Sequence, residues 1–255
     1  MLKRFILTLF TISLFGLAHL GIWSHPALAS PVPQFSSVPR SSTLNTSQYL
    51  SSSTSDLGGD RLDTTFAQSH ALLTHIARVS RNLYHLALMN QWHEAKSLVP
   101  PISKLVENLS SRGFSDAEIT QLQSYVSDLQ SAIATNNYQT ILDANQLSFL
   151  ATGMAVQMDQ SMPMEVVKLD YYAHELSPWV QIGNLKQLKG LSQQLRQTWN
   201  ALQPAFHQQH HSEHIQSYYD KLISLLELAQ TPGEYALLTA PLLAEINQLR
   251  EVLSL

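Results

Sequence analysis

The chain contains no cysteine. Disulfides, thiolate metal sites, iron–sulfur clusters, covalently attached c-type haem and a lipobox anchor are excluded together. Charge is scarce as well: Asp, Glu, Lys and Arg make up 13% of the 255 residues, about half the usual ~25%. Gln, Asn, Ser and Thr therefore cover the solvated faces, and surface ion-pair networks are not expected to be the main support of the fold. No basic patch is present and the formal net charge is −4. A nucleic-acid partner is disfavoured, because phosphate neutralisation needs clustered Lys and Arg. Strand signals are also missing, since apolar–polar alternation never lasts and β-branched residues do not cluster. The sequence has no Gly-x-Ser-x-Gly, Glu-x-x-His or His-Glu-x-x-His pattern, which argues against serine hydrolases, di-iron bundles and zincins.

The first pattern that is present lies at the N-terminus. Residues 1–29 carry Lys3 and Arg4, then an apolar run from Phe5 to Trp23, then Ala27-Leu28-Ala29 before Ser30. This reads as a signal peptide, and the protein is expected to be exported to the periplasm or an equivalent extracytoplasmic compartment. An uncleaved anchor is the alternative, because the run approaches spanning length; Gly16, His19 and Gly21 interrupt it. No other stretch reads as transmembrane. Residues 30–62 are rich in Ser, Thr and Pro with few large apolar side chains, too few to offset the entropy of ordering, and read as a disordered linker.

From Asp63 onward the chain reads as two copies of one helical unit, residues 63–158 and 159–255. Apolar positions pair at an offset of 93 (176 − 83): Ile76 with Leu169, Leu83 with Leu176, Ala95 with Leu188, Ile102 with Leu195, Val106 with Trp199, Leu109 with Leu202. Further on the offset becomes 97 (219 − 122), pairing Leu122 with Tyr219, Val126 with Ile223, Leu129 with Leu226 and Tyr138 with Tyr235. The second copy thus carries about four extra residues between its second and third helices. A repeated pattern of this kind implies units that bury apolar faces against each other. Asn90 matches Gly183 and Asn136 matches Gly233, and each is expected at a turn with positive φ. Capping boxes are expected at Thr65 with Gln68 and at Ser115 with Glu118, and Pro163 suits the start of the fifth helix. Pro100 and Pro101 should kink or restart the second helix. The expected fold is all-α: about eight helices in two antiparallel four-helix units with short connections.

Two clusters could carry chemistry. His207, His210, His211 and His214 occupy the longer connection of the second copy, at spacings that gather imidazoles on one side of a helical turn and suit copper or zinc. Met154, Met158, Met162 and Met164 gather at the junction of the copies, where thioethers would favour Cu(I) or would fill irregular packing gaps. The expected metal set is His207, His210, His211, His214, Met158, Met162 and Met164. Asp170 and His174 lie one turn apart with Ser177 beside them. A triad from one helix has poor geometry for a nucleophile, so they read as a surface i, i+4 ion pair. His70, His75, His85 and His93 read as unrelated surface or boundary residues, and Trp92, Trp179 and Trp199 as core. Tyr171-Tyr172 and Tyr218-Tyr219 should each place one ring inward and one at the rim. The sequence therefore suggests an exported, non-enzymatic helical bundle that binds copper or zinc through the His loop, or else a structural or adaptor module for another envelope protein.

Overall fold

A computed structural model describes residues 59–109, 114–206 and 213–253, with the backbone alone at 59–64, 205–206 and 213. The expected leader and most of the Ser/Thr/Pro-rich segment lie outside these residues. Eight helices and no strand occur among the described residues: α1 (Gly59–Leu88), α2 (Trp92–Leu109), α3 (Asp116–Ala134), α4 (Tyr138–Asp159), α5 (Met164–Ile182), α6 (Leu185–Phe206), α7 (Glu213–Leu228) and α8 (Pro232–Leu253). None is long and apolar enough to cross a membrane.

Local signals explain most of the helix ends. Ser115 caps α3 by accepting from the Glu118 backbone N–H, while the Glu118 carboxylate accepts from the Ser115 N–H at 2.9 Å. Two donors that the helix cannot satisfy internally are met reciprocally. Asn90, Asn136 and Gly183 adopt φ of 60°, 51° and 75° at the turns. Gly233 does not follow the expected parallel with Asn136, because it lies in the first turn of α8. The second half makes that turn with a capping box instead: Thr231 Oγ1 accepts from the Glu234 N–H, and the Glu234 carboxylate accepts from the Thr231 N–H at 3.1 Å. The expected start near Asp63 also moves. α1 already begins at Gly59, since no proline or glycine interrupts residues 60–65, and Thr65 and Gln68 sit inside the helix. Pro100 and Pro101 are accommodated within α2, which runs on to Leu109. Gln160, φ 51°, closes α4 in a left-handed conformation that the sequence did not signal.

The two halves repeat one pattern of neighbours. α1 packs on α2 and α4, α2 on α3, and α3 on α4; likewise α5 packs on α6 and α8, α6 on α7, and α7 on α8. The paired apolar positions face inward in both: Ile76 and Leu169, Leu83 and Leu176, Ile102 and Leu195, and Leu122 and Tyr219 are each 0% exposed. Tyr138 and Tyr235 break the pairing, at 40% and 0%. α4 packs on α5 and joins the halves. Each of these two helices has three neighbours, so each is enclosed on most sides. Residues 140–151 of α4 and 169–176 of α5 are buried without interruption. These stretches are not wholly apolar; Asp143, Asn145, Gln146, Ser148, Asp170, His174 and Glu175 lie within them. Polar groups placed there must find partners, because an unsatisfied buried group costs about 1–3 kcal/mol.

Candidate functional site

Those buried polar groups form two clusters. The first centres on Asp170 of α5, whose side chain is 5% exposed. Its Oδ2 accepts from Arg81 Nη2 of α1 at 2.5 Å and lies 2.9 Å from Arg250 Nη2 of α8. The surface ion pair expected for Asp170 and His174 is therefore corrected: both residues are buried, and guanidiniums from both halves supply the counter-charge. Burial alone would raise the Asp170 pKa, but the charges of Arg81 and Arg250 outweigh it and hold the carboxyl below its usual range. His174 Nδ1 lies 2.8 Å from the Asp170 carbonyl oxygen, and Arg81 Nη1 lies 2.5 Å from Nε2. A guanidinium only donates, so these contacts select one tautomer, in which Nδ1–H donates to the carbonyl and Nε2 accepts from Arg81. Burial, aided by Arg81, pushes the His174 pKa down to about 4. The imidazole is neutral at pH 7, and both its nitrogens are engaged.

Further contacts fix Arg81. Its Nε donates to Ser148 Oγ of α4 at 3.4 Å, and that hydroxyl donates to the Ala77 carbonyl at 3.2 Å. Tyr84 OH donates to the His174 carbonyl at 2.7 Å, while the Tyr84, His85 and His174 rings meet edge to face. Arg81 and His174 are 93 residues apart, the separation at which the apolar positions of the two halves pair in the sequence. Gln181 and Leu88, which share a 3.5 Å hydrogen bond, are also 93 apart.

Outside this cluster the seam opens into a cleft of about 570 Å³ lined from α1, α4, α5 and α8. Its wall includes Arg78, Arg81 and Arg250, with His85, Ser148, Thr152 and Asn247, and the apolar Ala77, Met162 and Leu243. Four arginines have described side chains, and the fourth, Arg196, joins α6 to Asp220 and Glu227 of α7.

The second cluster fills the α4–α5 interface. Asn145 Nδ2 donates to Glu175 Oε1 at 3.2 Å and to the Tyr171 carbonyl at 3.1 Å, and Trp179 Nε1 donates to Glu175 Oε2 at 3.2 Å. Tyr171 OH donates to Gln146 Oε1 at 2.5 Å. Burial raises the Glu175 pKa to about 7 against the pull of these donors. Burial likewise lifts Asp143 to about 6, although Gln139 donates to its Oδ1 at 2.6 Å.

The residues expected to hold metal are only partly described. His207, His210 and His211 lie outside the described residues, and His214 is exposed near the start of α7. Met158, Met162 and Met164 are half-buried around the α4–α5 junction, Met162 reaching the cleft, while Met154 is buried. Among the described residues no three His, Asp or Glu side chains gather closely enough to hold a metal ion. His70 and His85 lie at the surface or its boundary as expected, but each has a neighbour of interest: His70 lies 2.9 Å from Asp159, and His85 lines the cleft. The Tyr218-Tyr219 pair splits as expected, but Tyr171 and Tyr172 are both buried, because α5 is enclosed by α4, α6 and α8. Sequence reasoning missed Arg78, Arg81 and Arg250. One signal was available, since the offset expected from the sequence pairs Arg81 with His174. Comparison with protein-family models, with curated proteins and with solved structures finds no match.

Proposed function

We propose that this chain is an exported, non-enzymatic binding protein whose ligand sits in the seam cleft. One observation carries the reading: in a chain that is 13% charged, three of the four arginines with described side chains converge on one cleft. Such a volume lies within the ~300–1,000 Å³ of small-molecule sites, and apolar lining with a few convergent polar groups is their usual chemistry. The engaged imidazole supports a binding role over catalysis, since His174 has no free lone pair with which to act as a general base. The Lys3-Arg4 leader with its Ala27-Leu28-Ala29 ending supports export. Native mass spectrometry of the chain purified from the extracytoplasmic fraction of its host tests both points. The mature protein is expected to begin at Ser30 and to retain a small molecule that an Asn247→Trp variant, which fills the cleft, has lost. A molecule retained equally by the variant, or by neither chain, would set the cleft reading aside.

The second reading is copper or zinc binding by His207, His210, His211 and His214, with Met158, Met162 and Met164 as soft ligands. It is favoured by the imidazole spacing of that connection. Equilibrium dialysis against Cu(II) and Zn(II), beside a variant with the four histidines changed to Ala, decides it; equal uptake by both chains removes the reading.

A further inference from the structure

We propose that the seam cleft binds a small organic carboxylate with a short apolar tail, an inference that rests on the reading of the cleft as the ligand seat. Charge is the first argument. Arg78, Arg81 and Arg250 line the cleft with a single carboxylate, Asp170. That leaves an excess of two positive charges in a chain whose net charge is −4. His174 is neutral and His85 is held below its usual pKa by burial and by Arg81, so neither changes the balance at pH 7.

Hydrogen-bond accounting is the second argument. A guanidinium has five N–H donors. Arg81 uses one each on Ser148, His174 and Asp170 and keeps two, with its side chain 21% exposed. Asp170, at 5% exposure, lies behind Arg81 and Arg250 and anchors both. A guanidinium fixed in this way loses little freedom when it takes up a ligand, and a carboxylate matches its planar fork.

The wall supplies the third argument. Ala77, Met162 and Leu243 line the same cleft. A fully hydrated anion such as inorganic phosphate would leave these surfaces without a partner, whereas an alkyl tail would cover them. A cation of the same length would meet the excess positive charge.

Isothermal titration of the chain, purified without a His tag, tests this with hexanoate, acetate, inorganic phosphate and hexylammonium. Hexanoate is expected to saturate one site at least tenfold more tightly than acetate or phosphate, to weaken as salt rises, and to outbind hexylammonium. Arg78→Gln is expected to weaken hexanoate at least threefold with the melting temperature unchanged, because Arg78 is exposed and outside the Asp170 bridge. Arg250→Gln should weaken it further, but it also disturbs that bridge. Phosphate or hexylammonium binding as tightly as hexanoate, or an Arg78→Gln variant that melts normally and binds hexanoate unchanged, would overturn the carboxylate. Two outcomes separate the inference from the reading beneath it. If no probe binds while the host-derived molecule is still lost on Asn247→Trp, the ligand class is wrong and the cleft stands. If Asn247→Trp binds hexanoate as tightly as the parent, the carboxylate sits elsewhere and the cleft reading falls.

Discussion

Asp170 meets two guanidiniums through one oxygen, Oδ2, and that geometry makes its charge indispensable locally. In Asp170→Asn, Arg81 and Arg250 would face each other with no anion between them. Breaking a buried ion pair costs about 3–5 kcal/mol. The arginines are 21% and 31% exposed, so water recovers part of that and a loss of about 3 kcal/mol is expected. Arg250→Gln should cost less, about 1 kcal/mol, because Asp170 keeps Arg81. Urea midpoints of the two variants at unchanged slope check the order; equal midpoints would mean that Arg81 alone does not suffice to neutralise Asp170. The i, i+4 spacing of Asp170 and His174 was legible in the sequence, but their burial was not. A charged pair one turn apart normally marks a solvated face, and the groups that make burial tolerable come from α1 and α8. Trp199 was easier to read, since it falls on an apolar stripe and is fully buried, with its Nε1 donating to Asp220 at 2.7 Å.

At the level of the helices, the turn at Gly183 and the start of α8 at Gly233 are alike in sequence and opposite in physics. Gly183 holds φ 75°, so Gly183→Ala strains the backbone even though no atom lies within 4 Å of the added Cβ. A loss of about 1 kcal/mol is expected. Gly233 lies inside α8, and its added Cβ would come no closer than 4.0 Å to Thr231 Oγ1. Gly233→Ala should therefore stabilise by about 0.5 kcal/mol, by restricting the unfolded chain. Thermal melts of the pair should shift in opposite directions. Removing a cap is a separate matter: Ser115→Ala and Thr231→Ala should each cost about 1 kcal/mol. Helix order and most ends were legible because apolar periodicity and capping residues are local signals. The Asn136 and Gly233 parallel failed because a residue that tolerates positive φ is not obliged to adopt it. In the second half the pair of Thr231 and Glu234 makes the turn by another route.

For the whole molecule, the pairing of positions was legible, but the way the halves meet was not. An offset identifies equivalent residues without saying which faces they turn toward each other. The joint runs through α4 and α5, and its buried acids make stability depend on pH. Glu175 titrates at about 7 in the fold against 4.5 for its ordinary value. Between those values the folded chain keeps a proton that the unfolded chain releases, so Glu175 makes stability fall as pH rises. Asp143 acts in the same direction between 3.8 and about 6. His174 opposes them: its pKa is 6.5 ordinarily and about 4 in the fold, so over that window stability rises with pH as the unfolded chain gives up its extra proton. The three effects partly cancel below pH 6.5, and above it the remaining decline belongs to Glu175. Glu175→Gln keeps the size of the side chain and cannot ionise. Relative to the parent, its stability is expected to improve progressively from pH 4.5 to 7 and then to level off. The total change should be on the order of 3 kcal/mol. Urea midpoints of both chains across pH 4 to 8 measure that difference directly. Parallel profiles would mean that the donors of Asn145 and Trp179 already hold Glu175 ionised in the fold, so that the α4–α5 joint carries a buried negative charge rather than a neutral acid.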